Sequence, residues 1–225
     1  SSSNTFSGNN ASYNGNNGIQ LNGSSNNNNL TSNTAVGNTG SGYLISDSVG
    51  MNLANNSAFT NQEDGFNLTN VSSTTLLNNT ASGNGDNGFD LTNVSSTNLT
   101  NNTARDNLGS GFGLFNSSST NLTGNTATNN SLLGFELNNV SSVNVTGNTA
   151  TNNSLCGFGL FNATNSTLSD NVASDNDGSG ICVRDSTNNS VTDNEANSNT
   201  QNGISVFNSS SNTFSGNNAS YNGNN

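Results

Sequence analysis

Asn98-Leu99-Thr100-Asn101-Asn102-Thr103-Ala104, then Arg105 to Ser110, then Gly111-Phe112-Gly113-Leu114: this stretch recurs, with variation, along the whole chain. Steps of 23 from Leu99 reach Leu122, Val145, Leu168, Val191 and Phe214 going forward, and Leu76, Leu53 and Leu30 going back. One further step, of 24, reaches Phe6. Five residues after each of these positions stands Ala, from Ala11 to Ala219, and twelve after stands Gly, from Gly18 to Gly203. A fixed period of this length is the sequence signature of a solenoid.

The glycine column leads into two apolar columns, an aromatic one (Phe66, Phe89, Phe112, Phe135, Phe158) and an aliphatic one (Leu68, Leu91, Leu114, Leu137, Leu160). They are two residues apart, so each pair shares one face of a strand. A second short strand carries Leu99 inward, and a third surrounds Ala104, where only a methyl group fits. Three short strands per turn of about 23 residues describe an all-β fold, a right-handed parallel β-helix. Nine to ten turns make residues 1–225 a single β-solenoid. Each turn offers only a few inward side chains, and stacking joins them into one continuous core.

Asparagine marks the corners. It stands three residues after the leading apolar position (Asn56, Asn79, Asn102, Asn125, Asn148) and again eight after it (Asn61, Asn84, Asn107, Asn130, Asn153). A third corner column runs through Asn70, Asn93, Asn116, Asn139, Asn162 and Asn208. Asn tolerates the left-handed backbone of a sharp corner. Its amide carries both donor and acceptor, so stacked copies can bond along the axis. These columns are therefore expected to be structural ladders.

Asn-x-x-x-x-Asn-x-Ala/Ile-x-x-Asn followed by Gly-Phe/Ile-x-Leu resembles the repeat of the NosD-type right-handed parallel β-helix family, also seen in pectate-lyase-like surface proteins. The resemblance spans Asn4 to Asn222 and implies the fold. It carries no single function, because that repeat serves transport accessory proteins, lyases, epimerases, adhesins and surface-layer proteins alike. A copper role gains nothing from a chain with no His, one Met and two separated Cys.

About a quarter of the chain is Asn, and the net charge of −11 arises from scarce cations, Arg105 and Arg184 being the only two. That argues against nucleic acid or anionic membrane as a partner. No segment reads as a transmembrane span or a signal peptide. Cys156 and Cys182 lie one turn and three columns apart, an offset that places them beyond disulfide reach on a flat sheet.

Residues 209–225 repeat residues 1–17 letter for letter, at an offset of 208, which is eight turns of 23 and one of 24. This implies a super-repeat of a longer array. Nothing near Ser1 or Asn225 reads as a cap, and a solenoid uncapped at both ends is expected to stack end to end on itself.

Catalysis would require clustered acids with basic partners. Asp170 and Asp193 share one column, and Glu63 and Asp86 another, but no cation lies in register with either pair. The expectation is no enzymatic activity and no cofactor, with these pairs as weak Ca²⁺ candidates only. The motif Asn-x-Ser/Thr occurs about twenty times, and a chain of this composition gives nearly as many by chance, so position is the better guide. Asn98, Asn101, Asn121, Asn129, Asn144 and Asn152 are outward glycosylation candidates, whereas Asn116 is expected to be blocked in an inward corner. Phe115, Phe161 and Phe207 recur every second turn at an outward position, as a lateral contact in a bundle or a ligand-stacking face. Outward Thr100, Thr123 and Thr146 are ordinary strand residues. Together these features predict a structural extracellular protein, a filament, sheath or stalk on a cell surface. The alternative is an adhesin or glycan-binding module that uses the solenoid as a stalk.

Overall fold

The structure, a computed structural model, describes residues 2–224. The chain winds as a right-handed parallel β-helix, with no helix among the described residues. Its strands form three sheets of ten, seven and nine strands, each paired only with the turns before and after. Every pairing is parallel and in column register: Leu99 opposes Leu122, Ala104 opposes Ala127, and Phe112 opposes Phe135. The single 24-residue step is accommodated in the corner between Leu21 and Leu30, where Gly23, Ser24 and Asn27 take positive φ.

The first and second sheets each contribute one line to the core, and the third contributes two. Leu99 comes from the first, Ala104 from the second, and Phe112 and Leu114 from the third, all fully buried. Tyr43, Phe66, Phe89, Phe112, Phe135 and Phe158 stack face to face, with centroids 4.5–4.8 Å apart and planes within 8°. The stacking distance equals the spacing of paired strands, so the sheet sets the aromatic contact at no added strain. Gly111 is required by close approach. A Cβ there would lie 2.7 Å from the Gly134 carbonyl oxygen and 2.8 Å from the Ala127 Cβ.

The ladders at +3 and +8 form as expected, but their asparagines are not the left-handed residues. The positive φ falls one position earlier, on Asn101 (53°) and Asp106 (58°), and this turns the following amide inward. Asn102, fully buried, donates from Nδ2 to Asn125 Oδ1 (3.0 Å) and to the Leu76 carbonyl (2.9 Å). Its Oδ1 accepts from both the backbone N–H and the Nδ2 of Asn79, each at 2.9 Å. Both amide hydrogens and both lone-pair directions are thereby used. Asn107 repeats the scheme in the second ladder, bonding Asn130 and the Ala81 carbonyl. No buried side-chain polar atom among the described residues lacks a partner.

The third corner differs from expectation. Asn116 has a left-handed backbone (φ 52°), but its side chain is exposed rather than blocked, and it accepts from Asn139 Nδ2 at 2.6 Å.

The cysteines also depart from the sequence reading. Cys156 and Cys182 form a disulfide with Cα atoms 6.2 Å apart. The flat-sheet offset fails because the chain bends between these two columns, leaning each corner residue over the strand residue 26 positions on. Ser110 Oγ reaches Glu136 Oε2 (3.1 Å) at the same offset. Leu133 likewise lies over Gly159, where its Cδ2 would stand 2.5 Å from an added Cβ. Closing a loop of this length stabilises a fold by about 3 kcal/mol. Replacing both cysteines with Ser is expected to lower stability by that amount in urea unfolding. Added reductant should do the same to the parent chain and nothing to the variant.

Candidate functional site

The outer face of the third sheet carries the chain's chemical variety. Between the buried Phe and Leu columns lies one outward residue per turn: Asn67, Asp90, Gly113, Glu136, Gly159, Cys182 and Ser205. Two residues further on lie Thr69, Thr92, Phe115, Asn138, Phe161, Arg184 and Phe207. The columns vary together. Where the first residue is Gly, the second is Phe, because the ring folds back over the bare backbone: an added Cβ on Gly113 or Gly159 would lie 2.6 Å from Phe115 or Phe161 Cε2. Phe115 and Phe161 are therefore half-buried platforms lying along the sheet, not a protruding stripe, while Phe207 remains 63% exposed. Arg184 sits between two such rungs with its guanidinium carbon 5.4 Å from the Phe207 ring centroid, and its Nε lies 3.6 Å from Asp185. Phe161, the disulfide, Arg184 and Phe207 line a shallow cavity of about 320 Å³.

The remaining rungs are hydrogen-bonding. Asp90 accepts from Thr92 Oγ1 (2.9 Å) and Asn87 Nδ2 (3.1 Å), and Glu136 accepts from Ser110. Asp64, in the corner column that leans over Asp90, is buried and accepts from Asn67 Nδ2 (2.8 Å) and the Asn87 backbone N–H (3.0 Å). Burial pushes its carboxyl up to about 7, with nearby Asp90 and Asp86 adding to the rise. Burial also raises Asp90 and Glu136 above the ordinary carboxylate range.

The sequence alone does not mark this cluster. The usable signal was Asp or Glu at the outward position of the Phe-x-Leu strand, a position whose partial burial by the corner residue 26 back is visible only in the structure. The acid pairs that share columns in the sequence lie elsewhere. Asp170 and Asp193 are exposed left-handed corner residues, and Glu63 and Asp86 are exposed on adjacent turns. Among the described residues no three His, Cys, Asp or Glu side chains converge on a point that could hold a metal ion.

The family model for the right-handed β-helix region matches residues 1–139 and 107–219. The chain belongs to the right-handed β-helix family. The match is to the family as a whole rather than to its NosD-type members. No curated protein matches in sequence. Among solved structures, a periplasmic alginate epimerase, AlgG, superposes with a TM-score of 0.64 at 13% identity, over 89% of this chain and 70% of that one. The A-module of the Azotobacter vinelandii mannuronan C-5 epimerase AlgE6 gives 0.66 at 16% identity, over 87% of this β-helix chain and 65% of that one. The Dettilon tailspike protein gives 0.60 at 16% identity, over 88% and 42%.

These likenesses show the fold alone. They nonetheless overturn one expectation. Catalysis was excluded from the sequence because no cation stands in register with the two acid pairs considered. Epimerases built on this same fold remove the ground for that exclusion. No helix among the described residues is long and apolar enough to cross a membrane.

Proposed function

We propose that the third-sheet face binds a linear polysaccharide laid along the solenoid axis. The observation that carries this reading is the alternation of rungs. Phe115, Phe161 and Phe207 recur every second turn, about 9.5 Å apart at the ordinary strand spacing. Between them stand the polar rungs Glu136–Asn138 and Cys182–Arg184, and Asp90–Thr92 occupies the turn before Phe115. A sugar presents an apolar ring face that stacks on an aromatic and an equatorial rim of hydroxyls that bonds to carboxylates and amides. Fixed platforms alternating with acceptors suit a chain of such rings. That alginate and mannuronan epimerases use this fold supports a carbohydrate ligand. The Cys156–Cys182 disulfide supports a location outside the reducing cytoplasm.

Titration against a panel of neutral, amino-sugar and uronate polysaccharides tests the reading. The parent chain should bind at least one. The double variant Phe115→Ala/Phe161→Ala should bind it at least about tenfold more weakly, a loss of ~1.4 kcal/mol, while remaining folded by circular dichroism, because both rings lie outside the core and only their contacts over Gly113 and Gly159 are lost. Absence of binding across the panel, or equal affinity in the variant, would sink it.

A second reading, that the solenoid is an extracellular filament, sheath or stalk continuing end to end, rests on the identity of residues 209–225 with 1–17. Ser1 and Asn225, and with them the expectation of uncapped ends, lie outside the described residues. The intact mass of the native protein under denaturing conditions decides the matter. A mass many times that of 225 residues supports a covalent array, and a mass near it removes that array.

A further inference from the structure

We propose that the outer face of the first sheet is a site of N-linked glycosylation, at Asn98 and Asn144 or at Asn121, but never at neighbouring turns of one molecule. The inference begins with a separation the fold imposes. Every Asn-x-Ser/Thr asparagine is wholly or partly exposed, and none of the buried asparagines belongs to such a motif. The cause is geometric. Positions i and i+2 share a face of a strand, so the hydroxyl residue of the motif travels outward with its asparagine. The buried amides of the first ladder have Ala at i+2, as Asn102 has Ala104, and those of the second have a residue other than Ser or Thr there, as Asn107 has Gly109.

Hydrogen bonding makes the same separation. In N-glycosylation the amide nitrogen forms a bond to the anomeric carbon of a sugar, and the bond from that carbon to the phosphate of a lipid-pyrophosphate donor breaks. The amide gives up one of its two hydrogens as a proton to the enzyme's base. Asn102 uses both hydrogens inside the core and can spare neither. Asn121 and Asn144 are exposed, and the structure gives each amide a single donated bond, to Asn98 and Asn121 Oδ1, both at 2.9 Å. One hydrogen can be exchanged for a sugar while the other keeps the ladder. Thr100, Thr123 and Thr146 stand beside them on the same outward face. Because neighbouring amides touch, two glycans cannot occupy successive turns. This face is formed by different strands from the third-sheet face, so glycan here leaves that face open.

The test is site mapping on protein purified from its natural source. Glycans are released enzymatically in heavy-oxygen water, which marks each formerly occupied asparagine. The chain is then digested with a non-specific protease, there being no Lys to cut at. Marks at Asn98, Asn144 or Asn121, never at adjacent turns of one molecule, are the expected result. The triple variant Asn98→Gln/Asn121→Gln/Asn144→Gln should then lose the corresponding mass and keep its melting temperature. Unmarked asparagines at all three positions, a mark on a buried ladder position such as Asn102, or an unchanged mass in the triple variant would overturn the proposal.

Discussion

Asn102→Ala is expected to cost about 4 kcal/mol of folding stability. The substitution removes four hydrogen bonds at once. The backbone N–H and one Nδ2 hydrogen of Asn79 lose their acceptor, while the Leu76 carbonyl and Asn125 Oδ1 each lose a donor. All lie where water does not reach, and a buried donor left unpaired costs 1–3 kcal/mol. The volume lost is small, so the effect is one of hydrogen bonding rather than of cavity. Asn102→Asp separates the two causes. It keeps the size of the side chain but turns its Nδ2 into an acceptor facing two other acceptors, and it should lose at least as much. Asn98→Ala removes an exposed rung of an outer ladder and should stay within about 0.5 kcal/mol. Urea unfolding followed by circular dichroism measures all three. A loss below about 1 kcal/mol for Asn102→Ala would mean that the inner ladders contribute geometry without stability.

The repeat made the fold legible because each column has one physical job. Leu99, Ala104, Phe112 and Leu114 could be placed on inward faces from period and alternation alone, and the structure places them there. The corners were legible only in part. Sequence shows that Asn102 belongs to a corner, but a left-handed residue and the amide it redirects are adjacent in the chain and both are often Asn, so Asn101 and Asn102 exchange roles. Asn116 points outward because it is itself the left-handed residue, as Asn101 is, and the side chain turned inward is the next one, Ser117. The disulfide and the Asp64–Asp90 proximity were hidden for one shared reason. Both depend on the 26-residue lean of a corner over the next turn, which departs from the 23-residue register. Ser110–Glu136, Leu133–Gly159 and Cys156–Cys182 obey that second rule with three different chemistries, so no composition signal reveals it. The site was less legible than the fold because it is built from the exceptions to the columns.

Asp64 is the most consequential of those exceptions, and acidification should stabilise this protein. Its carboxyl is moved from an ordinary 3.8 up to about 7. The folded chain therefore holds a proton that the unfolded chain has released, over the range between those two values. Stability falls with rising pH wherever the folded state binds more protons. The Asp64 contribution is fully present below about pH 4, declines as pH rises, and is lost above about pH 7. At full linkage the difference is about 4 kcal/mol. Asp90 and Glu136 are raised in the same direction and add to the slope. Asp64→Asn should remove most of it and stabilise the chain at neutral pH. The same column already carries Asn in other turns: Asn17 Oδ1 accepts the Ser41 N–H at 2.9 Å and Asn87 Oδ1 the Ser110 N–H at 2.7 Å, as Asp64 accepts that of Asn87. An amide at 64 would continue that pattern without a buried charge. The measurement is unfolding free energy from pH 4 to pH 8 for both chains. Parallel profiles, or a parent chain that gains stability as pH rises, would show that the charge at 64 is held by its hydrogen bonds rather than strained by its burial. The cost falls on a residue that borders the third-sheet face, and under the proposed polysaccharide reading a hydroxyl donor lying across Asp64 and Asp90 would relieve it. On that reading a bound polysaccharide should flatten the same profile, which ties the pH dependence of stability to occupation of the face.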